Sequence, residues 1–173
     1  AARLAAWCAI EPDGQRSNFR FPDTRRLPAI LKTLGRAQRG QLTGPALSWS
    51  YIGRDGEWCT LALDGSGDAI ATDPRLDDAQ FGALVEDSRA DEVLARLAAH
   101  RARSAYRPSQ AHALISSALA PALHAGLDDH ELVEWCGWLL AHGWRDDEQD
   151  IAELFTAWKT NALSMETGDA AET

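Results

Sequence analysis

The stretch from Leu47 to Thr72, LSWSYIGRDGEWCTLALDGSGDAIAT, constrains the fold more than any other. Leu47, Trp49 and Tyr51 alternate with Ser48 and Ser50, the period-two pattern of a half-buried strand. Trp58, Thr60 and Ala62 then alternate with Cys59, Leu61 and Leu63. Gly53-Arg54-Asp55-Gly56 lies between the two runs. Asp55-Gly56 predicts a tight hairpin, because a type I′ turn needs positive φ at both central residues. The second strand leads into Asp64-Gly65-Ser66-Gly67-Asp68, with a short apolar run at Ala69–Ala71 beyond. A hairpin ending in a polar, glycine-rich loop is a scaffold on which a site can be built.

The flanking sequence reads as strands and a helix before the hairpin and as helices after it. Residues 4–10 are apolar and end at the turn Glu11-Pro12-Asp13-Gly14, which predicts a strand, although the alanines would tolerate a helix. Gln15–Phe21 alternates, with Ser17, Phe19 and Phe21 on one face and Arg16, Asn18 and Arg20 on the other. That basic face reads as a phosphate-binding surface or as a solvated edge that uses arginine against aggregation. Leu27, Ile30, Leu31 and Leu34 have helical spacing, closed by Gly35 or continued to Gly40, with Gly40–Ala46 a loop. Asp77 starts a short helix with Phe81, Leu84 and Val85 inward, and Ser88-x-x-Asp91 starts another on Val93, Leu94 and Leu97. Ser109 caps a helix on Leu114, Ile115, Ala118 and Leu119 that Pro121 kinks or stops. Asp128-x-x-Glu131 opens a helix on Leu132, Trp135, Cys136 and Leu139, and Ile151, Leu154, Phe155 and Trp158 carry a last one. The fold class is α+β, a small mixed sheet with a helical addition. Residues 1–72 form the strand-rich part, 73–163 the helical part and 164–173 a flexible acidic tail, together one compact domain.

Charge is unevenly spread. Residues 1–56 carry nine Lys/Arg against four Asp/Glu, a balance of +5; residues 57–173 carry eight against twenty-two, a balance of −14. The basic end suits phosphates and the acidic end does not. No apolar run reaches the ~18 residues of a membrane span. Arg3–Ile10 is too short for a signal peptide, so neither insertion nor export is expected. Cys8, Cys59 and Cys136 are odd in number and far apart, which fits buried thiols in a reducing cytosol.

Few residues point to chemistry. His100, His112, His124, His130 and His142 form no HExxH and no zinc spacing, and no GxSxG, Walker A or dinucleotide fingerprint occurs. His142, just before Gly143, suits the end of a helix. The loop from Asp64 to Asp68 remains. Gly65 and Gly67 let backbone N–H groups turn around an anion, and Asp64 and Asp68 together suit a divalent cation such as Mg²⁺ or Mn²⁺. The same loop also reads as a plain connection between strands. Glu57 is the third carboxylate of a catalytic set with Asp64 and Asp68, or the partner of Arg54 in a surface pair across the turn. The loop has no cation of its own, so positive charge must come from Arg54 or from Arg16, Arg20, Arg25 and Arg26.

The order from Leu27 to Ala71 resembles the N-terminal domain of ParB-type partition proteins and sulfiredoxins. There a helix like LPAILKTLGRA leads to two strands and a phosphate-binding box of the form G-E-R-R-x-x-A. Gly67 and Asp68 match the start of the box, while Ala69 and Ile70 stand in place of its arginines. In size and charge split the whole chain is similar to the plasmid fertility-inhibition, or oncogenic-suppression, family. That resemblance implies a cytoplasmic bacterial protein that blocks conjugative or T-DNA transfer. It implies ATP hydrolysis and DNA cleavage, and as partner DNA, a nucleoprotein transfer intermediate or a secretion-system coupling protein. Charge alone suggests Arg16, Arg20 and Arg54 as substitutes for the missing arginines. The rival reading is a non-enzymatic immunity or secretion-blocking protein whose acidic helical half binds a basic partner. An acidic nucleic-acid mimic is a third, and the charge split disfavours it.

Overall fold

Alternation and turn chemistry produce the hairpin where the pattern places it. β3 (Ser48–Ile52) pairs antiparallel with β4 (Trp58–Ala62), Ile52 facing Trp58 and Ser48 facing Ala62. Trp49, Tyr51, Leu61 and Leu63 face the core and are half-buried. Ser50 and Thr60 pair on the outer face. The turn differs from the type I′ expectation. Gly56 N–H donates to the Gly53 carbonyl at 3.1 Å and Gly53 N–H to the Glu57 carbonyl at 2.9 Å. Arg54, Asp55 and Gly56 thus form a three-residue loop, and Gly56 takes the left-handed position at φ 79° that closes it.

The computed structural model describes residues 2–10, 17–19, 23–65, 67, 74–99, 105–142 and 150–169. The chain divides into two units, Ala1–Ser88 and Arg89–Thr173. It is α+β, with sheet and short helices in the first unit and long helices in the second. Among the described residues no helix is long and apolar enough to cross a membrane.

In the first unit, α1 (Ala2–Ala6) occupies much of the stretch expected as a strand. Its alanines favour helix, and only Ala9–Ile10 remains as β1, paired with β2 (Ser17–Asn18). Phe19 is buried and Asn18 exposed, as the alternation requires, whereas Arg16, Arg20 and Phe21 lie outside the described residues. A 3₁₀ turn (Thr24–Arg26) leads into α2 (Leu27–Thr33), and α3 (Arg36–Thr43) follows a break at Leu34-Gly35. The core collects Trp7, Phe19, Leu27, Ile30, Leu34, Leu42 and Leu84, with Trp7 and Phe19 rings 5.6 Å apart.

One helix, α4 (Asp78–Ala99), replaces the two expected, and the division between units falls within it. Asp77 and Gln80 form its capping box: Gln80 N–H donates to Asp77 Oδ1 and Asp77 N–H to Gln80 Oε1. No Gly or Pro interrupts residues 83–99, and Ser88 Oγ donates back to the Val85 carbonyl inside the helix instead of starting a new one. Leu84 and Val93 are buried, whereas Phe81 and Val85 are exposed.

The second unit packs the later turns of α4 with α5 (Pro108–His124), α6 (Asp129–His142) and α7 (Ile151–Asp169). Pro108 takes the first turn of α5, and Pro121 sits inside it without ending it. Asp128 and Glu131 cap α6 reciprocally, and Asp150 Oδ1 accepts Ala152 N–H at the start of α7. Trp135, fully buried, contacts the rings of Trp138, Phe155 and Trp158 and donates Nε1–H to the Ala118 carbonyl at 3.2 Å. Cys136 lies beside it, and burial pushes its thiol up to about 12. His142 Nδ1 donates to the Trp138 carbonyl at 2.9 Å, one turn back in the last turns of α6.

Candidate functional site

The residues around Asp64 are brought together by the end of β4 and the break between α2 and α3. An open groove of about 290 Å³ is lined by Leu31 and Lys32 of α2, Arg39, Gly40 and Thr43 of α3, and Leu61 to Asp64. Asp64 is exposed at its mouth, as is Lys32. Arg39 is held in place, donating from Nη1 to the Leu31 carbonyl at 3.3 Å and the Leu34 carbonyl at 2.9 Å. Those carbonyls close α2, and a guanidinium there answers their partial negative charge. Thr43 Oγ1 donates to the Arg39 carbonyl at 2.8 Å, so it serves its own helix.

Gly67 explains how the loop reaches the groove. A Cβ at Gly67 would stand 2.2 Å from the Gly40 carbonyl oxygen and 2.7 Å from the Gly40 Cα. Two glycines thus let the loop backbone lie directly on the last turn of α3. Asp64 and Gly65 precede this contact, while Ser66 and Asp68 lie outside the described residues.

The expected site residues are distributed as follows. Asp64 lines the groove. Glu57 is at the other end of β4, seven positions away along extended chain, on the order of 20 Å. Arg54 sits in the hairpin loop beside Glu57. Arg25 makes a two-pronged bond to Asp23, Nε–Oδ1 2.9 Å and Nη2–Oδ2 2.7 Å, and that bond holds the Asp23 carboxyl below its usual range. Arg26 is largely buried, bonds the Leu84 carbonyl and approaches Asp87 at 3.4 Å. Arg16 and Arg20 lie outside the described residues.

The cations that share the groove with Asp64 are Lys32 and Arg39, neither singled out by the sequence reading. The available signal was their spacing with Arg36 at i, i+4 and i+7. On one unbroken helix the three would share a face. The break at Gly35 leaves Arg36 exposed and keeps Lys32 and Arg39 at the groove.

Among the described residues no group of three or more His, Cys, Asp or Glu side chains is placed to hold a metal ion. Asp64 is therefore one carboxylate donor. Mg²⁺ accepts one or two carboxylates when phosphate oxygens and water complete its shell, so the fit is to a metal that arrives with a phosphate. No protein family, curated protein or solved structure matches the chain.

Proposed function

We propose that this chain acts on DNA as an inhibitor of its conjugative or T-DNA transfer, through a first unit of the ParB/sulfiredoxin kind. The supporting observation is that Lys32 and Arg39 line the same groove as Asp64. Lys32, exposed and on a flexible stem, supplies a point charge for a phosphate. Arg39 adds a fixed positive wall, because its guanidinium is tethered by two carbonyls. Asp64 would hold a divalent cation that a nucleotide or DNA phosphate carries with it. Such a cation would supply charge neutralisation for ATP hydrolysis and DNA cleavage. The helix–hairpin–glycine-loop order from Leu27 to Gly67 supports the fold reading.

The test is DNA binding as a function of salt, beside ATPase and nuclease assays with Mg²⁺ or Mn²⁺, on the wild type, Lys32→Glu and Asp64→Asn. Lys32→Glu should weaken binding across sequences and lower the salt slope by about one. Asp64→Asn should keep binding and lose hydrolysis. No DNA binding at low salt would reject the phosphate reading. Equal hydrolysis by wild type and Asp64→Asn would trace it to a contaminant and leave a non-enzymatic blocking protein.

A further inference from the structure

We propose that β4 is an edge to which a second copy of this chain adds its own β4, making a four-stranded antiparallel sheet. This goes beyond the groove reading and does not rest on it.

The hydrogen-bond phase of the hairpin sets the geometry. Gly53 bonds Glu57, and Leu63 N–H bonds the Leu47 carbonyl at 2.9 Å. The pairs between them alternate, so Trp58, Thr60 and Ala62 face non-bonded partners on β3 and turn their own N–H and C=O groups outward. Among the described residues no strand or side chain takes up these groups. The opposite edge is treated differently, since Thr24 Oγ1 donates to the Ile52 carbonyl at 2.8 Å.

The sequence of this edge has none of the usual protective residues. Residues 58–62 contain no Lys, Glu, Pro or Gly. Trp58 is 75% exposed, beside Ile52 at 39%. Such a segment is self-complementary in one register. Around a two-fold axis at Thr60, the two Thr60 side chains face each other and Trp58 of each copy lies over the small Ala62 of the other. Threonine pairs and large-on-small aromatic contacts both stabilise neighbouring strands. A two-fold contact of this kind closes at two copies, as isologous interfaces do.

The experiment is sedimentation velocity on the full chain as wild type, Thr60→Lys, Thr60→Glu and an equimolar mixture of the two variants. Thr60 is exposed, so neither substitution disturbs the core, and circular dichroism checks this. The wild type should dimerise. Each variant alone should dissociate at least about tenfold more readily, because like charges meet at the axis. The mixture should recover the dimer, because opposite charges then face each other across the axis. A wild type that stays monomeric at its solubility limit would overturn the proposal. So would a Thr60→Lys dimer as tight as the wild type, or a mixture that stays apart.

Discussion

The two units solve the same problem by different means. The first is made of short elements, and short helices leave many of their carbonyls without internal donors. Distant side chains supply them: Arg3 bonds the Gly40 and Gln41 carbonyls, Gln80 the Thr33 carbonyl and Arg39 the end of α2. The second unit is made of long helices that satisfy themselves. Its polar side chains act mostly within a turn, as Ser116 to His112 and Thr156 to Ala152 do. Its cohesion comes from packing around Trp135. The contrast changes the meaning of the basic first third. Arg3, Arg25 and Arg26 serve carbonyls or a neighbouring carboxylate, so part of the +5 balance is internal fastening and not a surface for phosphates.

Substitutions can break this contrast. Trp135→Ala should have the largest effect, about 3–5 kcal/mol, and should strike the second unit. Urea unfolding with hydrogen exchange resolved by unit checks it; equal loss in both units would dissolve the distinction. Arg26→Met keeps the stem and removes the donors, and should cost about 1–3 kcal/mol in the first unit because the Leu84 carbonyl loses its charged partner. Gly67→Ala should cost about 1–2 kcal/mol, since backbone and not a yielding side chain opposes the new methyl. It should also weaken any ligand of the groove by displacing Asp64. Asp23→Asn should matter least, below about 1 kcal/mol, as the pair with Arg25 is half in solvent. The Asp23 carboxyl is lowered in the fold, so its small contribution is complete above the ordinary carboxylate range. It disappears as pH falls through the lowered value, and a titration of stability at acid pH reads it directly.

How far the sequence foretold each part follows the same division. In the second unit Leu114, Ile115, Ala118, Leu132, Trp135 and Leu139 are buried as their spacing requires, and the Asp128–Glu131 box caps α6. Local pattern sufficed because the determinants are local. The hairpin was equally legible, strand for strand, apart from its turn. Elsewhere in the first unit local pattern fell short. Residues 40–43 read as a loop, yet they stay helical, with Arg3 supplying donors from 37 and 38 positions away. The groove was illegible for the same reason, since Lys32 and Arg39 share it with Asp64 only after Gly35 breaks the helix.

The cap of α4 is itself tied to the cap of α3. Gln38 Oε1 accepts the Gly35 N–H at 2.7 Å, and the Gln38 and Gln80 amides donate to each other at 2.9 and 2.7 Å. Gln80 at the same time closes the box with Asp77. The two helix starts therefore share one pair of side chains, and neither can fray without releasing the other. The Gly35 and Asp77 amides should exchange with solvent as a single event, and Gln80→Ala should speed both, making this amide pair a clock for opening of the first unit.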